Sequence, residues 1–257
     1  VLSDDLNACA DLVRRADPDR FLAAMAAPVA ARRVLFPIYA FNVEVARAPW
    51  VTAEPMIAEM RLQWWRDALD EIGSGKVVRR HEVVTPLADV LEAQGTELLD
   101  QLVAARRWDI YREPFEDTAQ FRDYLDRTAA NLMLAAARPL GEVDAGVIRD
   151  AGFAHGLANW FRAIPALERA GRVPLTDGRP QAIVALAEEG LDRLARARRE
   201  RATISRLAGA ALLPLWQSGA LLRQALQDPS RVADGVLGLS PIRSRTGLLL
   251  RATTGRW

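Results

Sequence analysis

The chain has 257 residues, half of them hydrophobic and 26% charged, with a formal net charge of +1. That is enough apolar material for a large buried core, and the charge is too balanced to point to a nucleic-acid partner. Cys9 stands alone, which excludes a disulfide framework within the chain, and His81 and His155 are the only histidines, which leaves no soft-metal site to propose.

Leu6, Cys9, Ala10, Leu12 and Val13 recur at helical spacing and predict a helix from Leu2 to Arg15, broken by Asp17-Pro18. This opening carries acids early and no basic region followed by an apolar run, so it does not read as a secretory signal. A second helix, Asp19 to Ala27, stops at Pro28, and a third runs from Ala30 to Ala48, with Pro37 either kinking it or opening a new segment. Thr52-Ala-Glu-Pro55 starts a helix bearing Met56, Ile57, Met60, Leu62, Trp64, Trp65, Leu69 and Ile72. It is apolar over more than half its circumference and is expected to be mostly buried. Asp67 and Glu71, one turn apart, read as a solvated face beside Arg66 rather than a metal pair, and Gly73-Ser-Gly75 ends the helix.

His81 lies in a polar connection and gets no role. Helices are expected from Thr85-Pro86 to about Ala93, from Glu97 to Arg107, and from Gln120 to Arg138, the last with Phe121, Tyr124, Leu125, Leu132 and Met133 in its buried stripe and Gly141 closing it. Gly152, Ala154, Gly156 and Ala158 give the next helix a tight small-residue face; it ends near Pro165, ahead of the basic turn Arg169-Ala-Gly-Arg172. Gln181 to Leu207 spaces Arg193, Arg196, Arg198, Arg199, Arg201 and Arg206 around its surface, either as a solvated helix or as a surface for anionic lipid or an acidic partner. Ala208 to Leu226 reads as core. From Leu237 to Trp257, leucines alternate with Arg243, Arg245, Arg251 and Arg256, a segment that packs on the body or lies at a membrane interface. No run alternates with period two for long enough to make a strand, and none approaches the roughly 18 to 20 apolar residues of a spanning helix. The expectation is an all-α, single-domain protein over residues 1–257, cytoplasmic in location.

Two stretches resemble the squalene/phytoene synthase family. That family writes L-Y-A-F-C-R and then x-x-D-D-x-x-D, and Ile38-Tyr39-Ala40-Phe41 matches the opening in register. Gly152 to Leu175 is similar to its second signature, G-x-A-x-Q-L-x-N-I-L-R-D followed by x-x-x-D-x-x-R-G-R-x-Y-L-P. Gly152, Ala154, Asn159 and Arg162 fall on that pattern, and Gly171-Arg172 keeps the family's distance. Tyr124 falls on a family tyrosine, and Ala105-Arg-Arg-Trp-Asp109 takes the place of a pattern that ends in an acid. The aspartates are missing from both signatures. Counted in register, their positions hold Ala46, Arg47 and Trp50 in the first, and Ala163 and Leu167 in the second. Glu44 and Glu168 do not replace them, because they are turned about 200° and 100° round their helices from the lost positions. Phe41-Asn-Val-Glu44 and Arg61-Leu-Gln-Trp-Trp-Arg-Asp-Ala-Leu69 are similar to the branch of the family that includes the mitochondrial complex I assembly factor.

The resemblance covers nearly the whole chain. It implies an antiparallel helical bundle of the isoprenoid synthase type with a central apolar cavity, and a degenerate pocket drawn from Tyr39, Phe41, Tyr124, Asn159, Arg162 and Arg172. Family members hold Mg2+ between aspartates and a diphosphate, and stabilisation of that kind is usually the largest catalytic term. Without those aspartates the first expectation is a non-catalytic protein with no metal and no cofactor. It would support respiratory complex assembly or bind an isoprenoid lipid, with peripheral contact at the inner membrane and no nucleic-acid partner. The alternative is an active prenyltransferase that condenses isoprenoid diphosphates, with Mg2+ required and Arg162 and Arg172 on phosphate. A third reading, a carrier of isoprenoid or quinone, needs a pocket of roughly 300 to 1,000 Å3, here expected to be lined by Phe41, Trp64, Trp160 and Phe161.

Overall fold

The computed structural model describes residues 4–257, so the predicted helix start at Leu2 lies outside the described residues. The first half carries α1 (Asp4–Ala16), α2 (Pro18–Ala26), α3 (Val29–Arg47), α4 (Pro55–Gly73), α5 (Val84–Ala88), α6 (Ala93–Ala105) and α7 (Trp108–Tyr111). Next comes α8 (Thr118–Leu125), which passes through a π-helical turn, Asp126–Ala130, into α9 (Asn131–Ala137). The second half carries α10 (Ala145–Arg169), α11 (Pro180–Arg199), a 3-10 segment (Ala208–Trp216), α12 (Ser218–Gln227), α13 (Ser230–Ala233) and α14 (Pro241–Thr254). There is no strand among the described residues.

Several starts have a visible cause in the sequence. Asp17, Asp117 and Asp144 each accept hydrogen bonds from the first-turn N–H groups of α2, α8 and α10. Proline at the first turn starts α2, α4, α11 and α14, where its missing N–H costs nothing. Pro37 neither ends α3 nor opens a new segment, since the helix runs through it.

The bundle is built around α10, which packs on α11, α12, α9 and the π turn, while α3 packs on α1, α2 and α9. The small-residue face of α10 is what lets the π turn approach. A Cβ on Gly152 would lie 2.5 Å from Ala130 Cα, and one on Gly156 would lie 2.5 Å from Ala129 Cβ. α10 also passes Pro165 and reaches Arg169, four residues beyond the end expected from the sequence. Gly171, at φ +74°, closes it: the Gly171 N–H donates to Glu168 O at 2.9 Å and the Arg172 N–H to Leu167 O at 3.0 Å. This left-handed closure folds Arg172 back against the bundle.

Other expectations need correction. α4 is half exposed rather than mostly buried, with Met56 at 74% and Met60 at 66% exposure, because only Ala58, Leu62, Trp65, Ala68 and Leu69 are fully buried, with Trp64 and Ile72 packed at the edge of the core. The helix at Thr85-Pro86 stops at Ala88, and α11 stops at Arg199, short of Leu207. On α11, Arg193 pairs within the helix with Glu189 at 2.8 Å, while Arg196 reaches Asp150 of α10 at 3.0 Å and ties the two helices together. Asp67 and Glu71 are engaged separately, by Gln63 at 2.7 Å and by Arg79 at 2.6 Å. His81 accepts the Val83 N–H on Nδ1 and packs beside Trp64 and Trp65.

Candidate functional site

Where α10 crosses the π turn, a cavity of about 220 Å3 opens between α2, α3, α7, α8 and α10. A π turn widens a helix locally, and here it brings Leu125, Thr128 and Ala129 to the wall. Thr128 stays satisfied by donating to Tyr124 O at 2.6 Å. Tyr124 and Trp160, on the wall, join Trp108, Phe115 and Phe121 behind it in an aromatic cluster, with Trp108 stacked flat on Phe115 at 4.1 Å and Trp160 Nε1 donating to Pro174 O.

The lining is polar at two places, which the expected apolar cavity did not include. On one side Tyr124 donates to buried Asp109 at 3.0 Å, and Arg106 Nη1 donates to both Tyr124 Oη at 2.7 Å and Asp109 at 3.1 Å. Burial pushes the Tyr124 phenol up, and the neighbouring Asp109 charge adds to this despite opposition from Arg106, so the hydroxyl stays protonated. On the other side Arg20 pairs with Asp17 and approaches His155 Nε2 at 3.5 Å, while Asn159 Nδ2 donates to the same nitrogen at 3.0 Å. Two donors on Nε2 assign the proton to Nδ1, which faces Ser218 Oγ at 3.2 Å. Burial, reinforced by the Arg20 charge, holds the imidazole down to about 3, so His155 is neutral. For Asp17 burial acts upward, but the Arg20 charge and hydrogen bonds outweigh it and hold the carboxyl below its usual range.

The residues expected at the pocket divide. Tyr124 and Asn159 line this cavity. Tyr39 sits in an adjoining crevice with Arg20 and His155, its hydroxyl buried without a protein partner, as is Asn42 Oδ1 on the cavity wall. Phe41 is fully buried edge-on to Trp65, away from the cavity, because its side of α3 faces α4. Arg162 points outward and pairs with Asp19 at 2.9 Å. Arg172 stands behind the wall: its Nη2 donates to Asp109 O, and its guanidinium lies 4.4 Å from the centre of the Trp50 ring. Trp64 and Phe161, expected to help line the pocket, are elsewhere, Trp64 beside Glu44 in a separate hollow and Phe161 in the core. Trp160 does line it.

The positions read as lost aspartates also divide. Trp50, Ala163 and Leu167 face the one cavity, from two segments more than a hundred residues apart in sequence. Arg47 turns to solvent and pairs with Glu44 at 3.1 Å, and Ala46 is absent from the lining. The donor set does not fit Mg2+, which wants several oxygen ligands. The carboxylates nearest the cavity, Asp17 and Asp109, are each held by an arginine. Among the described residues no group of three or more His, Cys, Asp or Glu side chains is placed to share a metal ion.

Sequence reasoning missed Arg20, Asn42, Arg106 and His155 as wall residues, and Asp17 as the partner that holds Arg20. No local pattern marks them, since Arg20 and His155 meet across 135 positions.

The bundle has the fold of the isoprenoid synthase type. A dehydrosqualene synthase structure superimposes with a TM-score of 0.79 over 97% of this chain and 95% of that one, at 14% identity. Squalene synthase HpnC from Alicyclobacillus acidocaldarius superimposes with a TM-score of 0.73 over 88% and 94%, at 18% identity. At these identities the likeness establishes the fold alone. The sequence profile of the squalene/phytoene synthase family matches residues 13–252, and the chain belongs to that family. Among its relatives is a Drosophila melanogaster protein named NADH dehydrogenase (ubiquinone) complex I, assembly factor 6 homolog, 29% identical over 170 residues, 63% of this chain and 51% of the relative. The Homo sapiens protein named NADH dehydrogenase (ubiquinone) complex I, assembly factor 6, is 24% identical over 172 residues, 61% of this chain and 48% of the relative. The chain thus spans about half the length of the curated relatives it matches. No helix among the described residues is long and apolar enough to cross a membrane.

Proposed function

We propose that this squalene/phytoene synthase-like protein works without prenyl transfer, as a helical scaffold that supports assembly of a respiratory complex at the inner-membrane surface. The observation that carries the reading is the set of side chains at the lost-aspartate positions on the cavity wall. Trp50, Ala163 and Leu167 stand where the resemblance would place metal-binding aspartates, and Trp50 is stacked on the Arg172 guanidinium. A diphosphate leaving group develops charge that a metal clamp or free cations must meet. Here an indole covers one cation, and Arg106 and Arg20 are committed to Asp109 and Asp17. The names carried by the relatives point the same way.

At about 220 Å3 the cavity itself falls below the roughly 300 Å3 at which small-molecule pockets begin, and the hollow of about 600 Å3 that shares Trp50 with it is bordered by Arg112 and Arg172. The test is genetic. Deleting the gene in a host that makes complex I should lower NADH-driven quinone reduction in its membranes while succinate oxidation is kept. Unchanged NADH oxidation in the deletion strain overturns the assembly role.

A further inference from the structure

α14 has two faces with opposite character. Its inner face packs on the 3-10 segment and α2: Leu248 is buried, Trp216 Nε1 donates to Ser244 Oγ at 3.1 Å, and Trp257, just past the helix, is buried against Gly209. The terminal tryptophan is therefore an anchor to the body and not a membrane contact. The outer face keeps Ile242 at 76%, Leu249 at 64% and Leu250 at 63% exposure. Residues seven and eight apart fall on one side of a helix, so the three make one apolar stripe. Arg243 and Arg245, both exposed, flank it. The helix it packs on, α2, also leaves Leu22 and Met25 partly exposed.

The charge on this side is of one sign. From Gly235 to Trp257 there are four arginines, Arg243, Arg245, Arg251 and Arg256, and no aspartate or glutamate. None of the four forms an ion pair among the described residues, nor do Arg198 and Arg223 on the neighbouring α11 and α12, whose guanidinium groups both approach Gly219. Burial first, and then the Arg223 charge, hold the Arg251 guanidinium below its ordinary value, as expected where cations face one another without a counter-ion. This contrasts with Arg193 and Arg196, which α11 spends on Glu189 and Asp150.

We propose that α14 docks on an anionic lipid surface, with Ile242, Leu249 and Leu250 entering the acyl boundary and Arg243 and Arg245 meeting headgroup phosphates. An exposed apolar stripe bordered by arginines suits the interface, because apolar area and attraction to anionic lipid add together. A purely apolar groove would not select charge, and a purely basic helix would not insert. The proposal rests on α14 alone and stands whether or not the protein assists complex assembly.

The test is co-sedimentation of the purified chain with vesicles of phosphatidylcholine alone and of phosphatidylcholine mixed with phosphatidylglycerol. Binding is expected to the mixed vesicles only and to weaken as salt is raised. Arg243→Gln/Arg245→Gln should bind about 30-fold more weakly, the ratio equivalent to about 2 kcal/mol for two arginines near an anionic surface. Ile242→Ser/Leu249→Ser/Leu250→Ser should lose at least about tenfold. All five side chains are exposed, so thermal unfolding of both variants should match the parent. Absence of vesicle binding, equal binding to both compositions, or salt-independent binding that the variants leave unchanged would overturn the proposal, and the first of these would point to a protein on this face instead.

Discussion

Replacing Asp109 with alanine tests whether the polar wall of the cavity is a structural unit. The Asp109 side chain is 4% exposed and accepts from Tyr124 Oη and from Arg106 Nη1. Its own backbone carbonyl also holds Arg172, so the residue ties α7 to α8 and to the turn after α10. Removing one partner of a buried ion pair leaves an uncompensated charge and costs about 3 to 5 kcal/mol. Arg106 retains the Tyr124 oxygen at 2.7 Å, and a fifth of its side chain reaches water, which places the expected cost at the lower end, about 3 kcal/mol. Asp109→Asn keeps one acceptor and should cost roughly half as much, and Tyr124→Phe should cost about 1 kcal/mol for one lost hydrogen bond. Urea unfolding followed by circular dichroism reads all three, and an unchanged slope with a shifted midpoint would mark a stability effect. An Asp109→Ala midpoint within error of the parent would refute the reasoning, because the triad would then be solvated in practice.

Gly152→Ala should destabilise by about 1 to 3 kcal/mol, since the new Cβ meets the Ala130 backbone, which cannot swing aside as a side chain would; a variant as stable as the parent in the same urea assay would mean that the π turn yields freely. Acid should also destabilise the fold. His155 is held at about 3 in the folded state and returns to its ordinary value near 6.5 when unfolded. Between those limits the unfolded chain binds the extra proton, so stability is full above pH 6.5 and falls by up to about 1.4 kcal/mol for each unit below it. Asp17, depressed by Arg20, adds loss of the same sign below its own ordinary value near 3.8. Unfolding free energies measured from pH 7.5 to 4.5 should show a shallower slope in His155→Gln than in the parent, and equal slopes would remove His155 as the cause.

The helical class was legible because its signals are local. Asp17-Pro18 and Gly141 mark boundaries through backbone chemistry alone, and the small face of α10 announced a close approach that Gly152 and Gly156 make. The boundary failed where tertiary packing overrode a local breaker, at Pro165, which α10 passes without stopping, whereas at Pro37 one of the two readings held, a single helix through the proline. The same limit explains the site. Position in a motif placed Trp50, Ala163 and Leu167 near one another, but not the direction of Arg162, which Asp19 draws outward across 143 positions. The partners of His155 come from α2, α10 and α12, and no periodicity within one helix encodes such a meeting. For α4, an apolar circumference was read as burial, whereas Met56 and Met60 lie on a side that no other element covers.

The central claim is that the cavity does not run metal-dependent prenyl transfer. Titrating farnesyl diphosphate into the purified chain by calorimetry, with and without Mg2+ and with released pyrophosphate assayed in the same samples, tests it most directly. The account expects no Mg2+-dependent binding and no pyrophosphate. Tight binding that requires Mg2+ and yields pyrophosphate would contradict it, and would mean that Asp17 or Asp109 leaves its arginine to hold the metal.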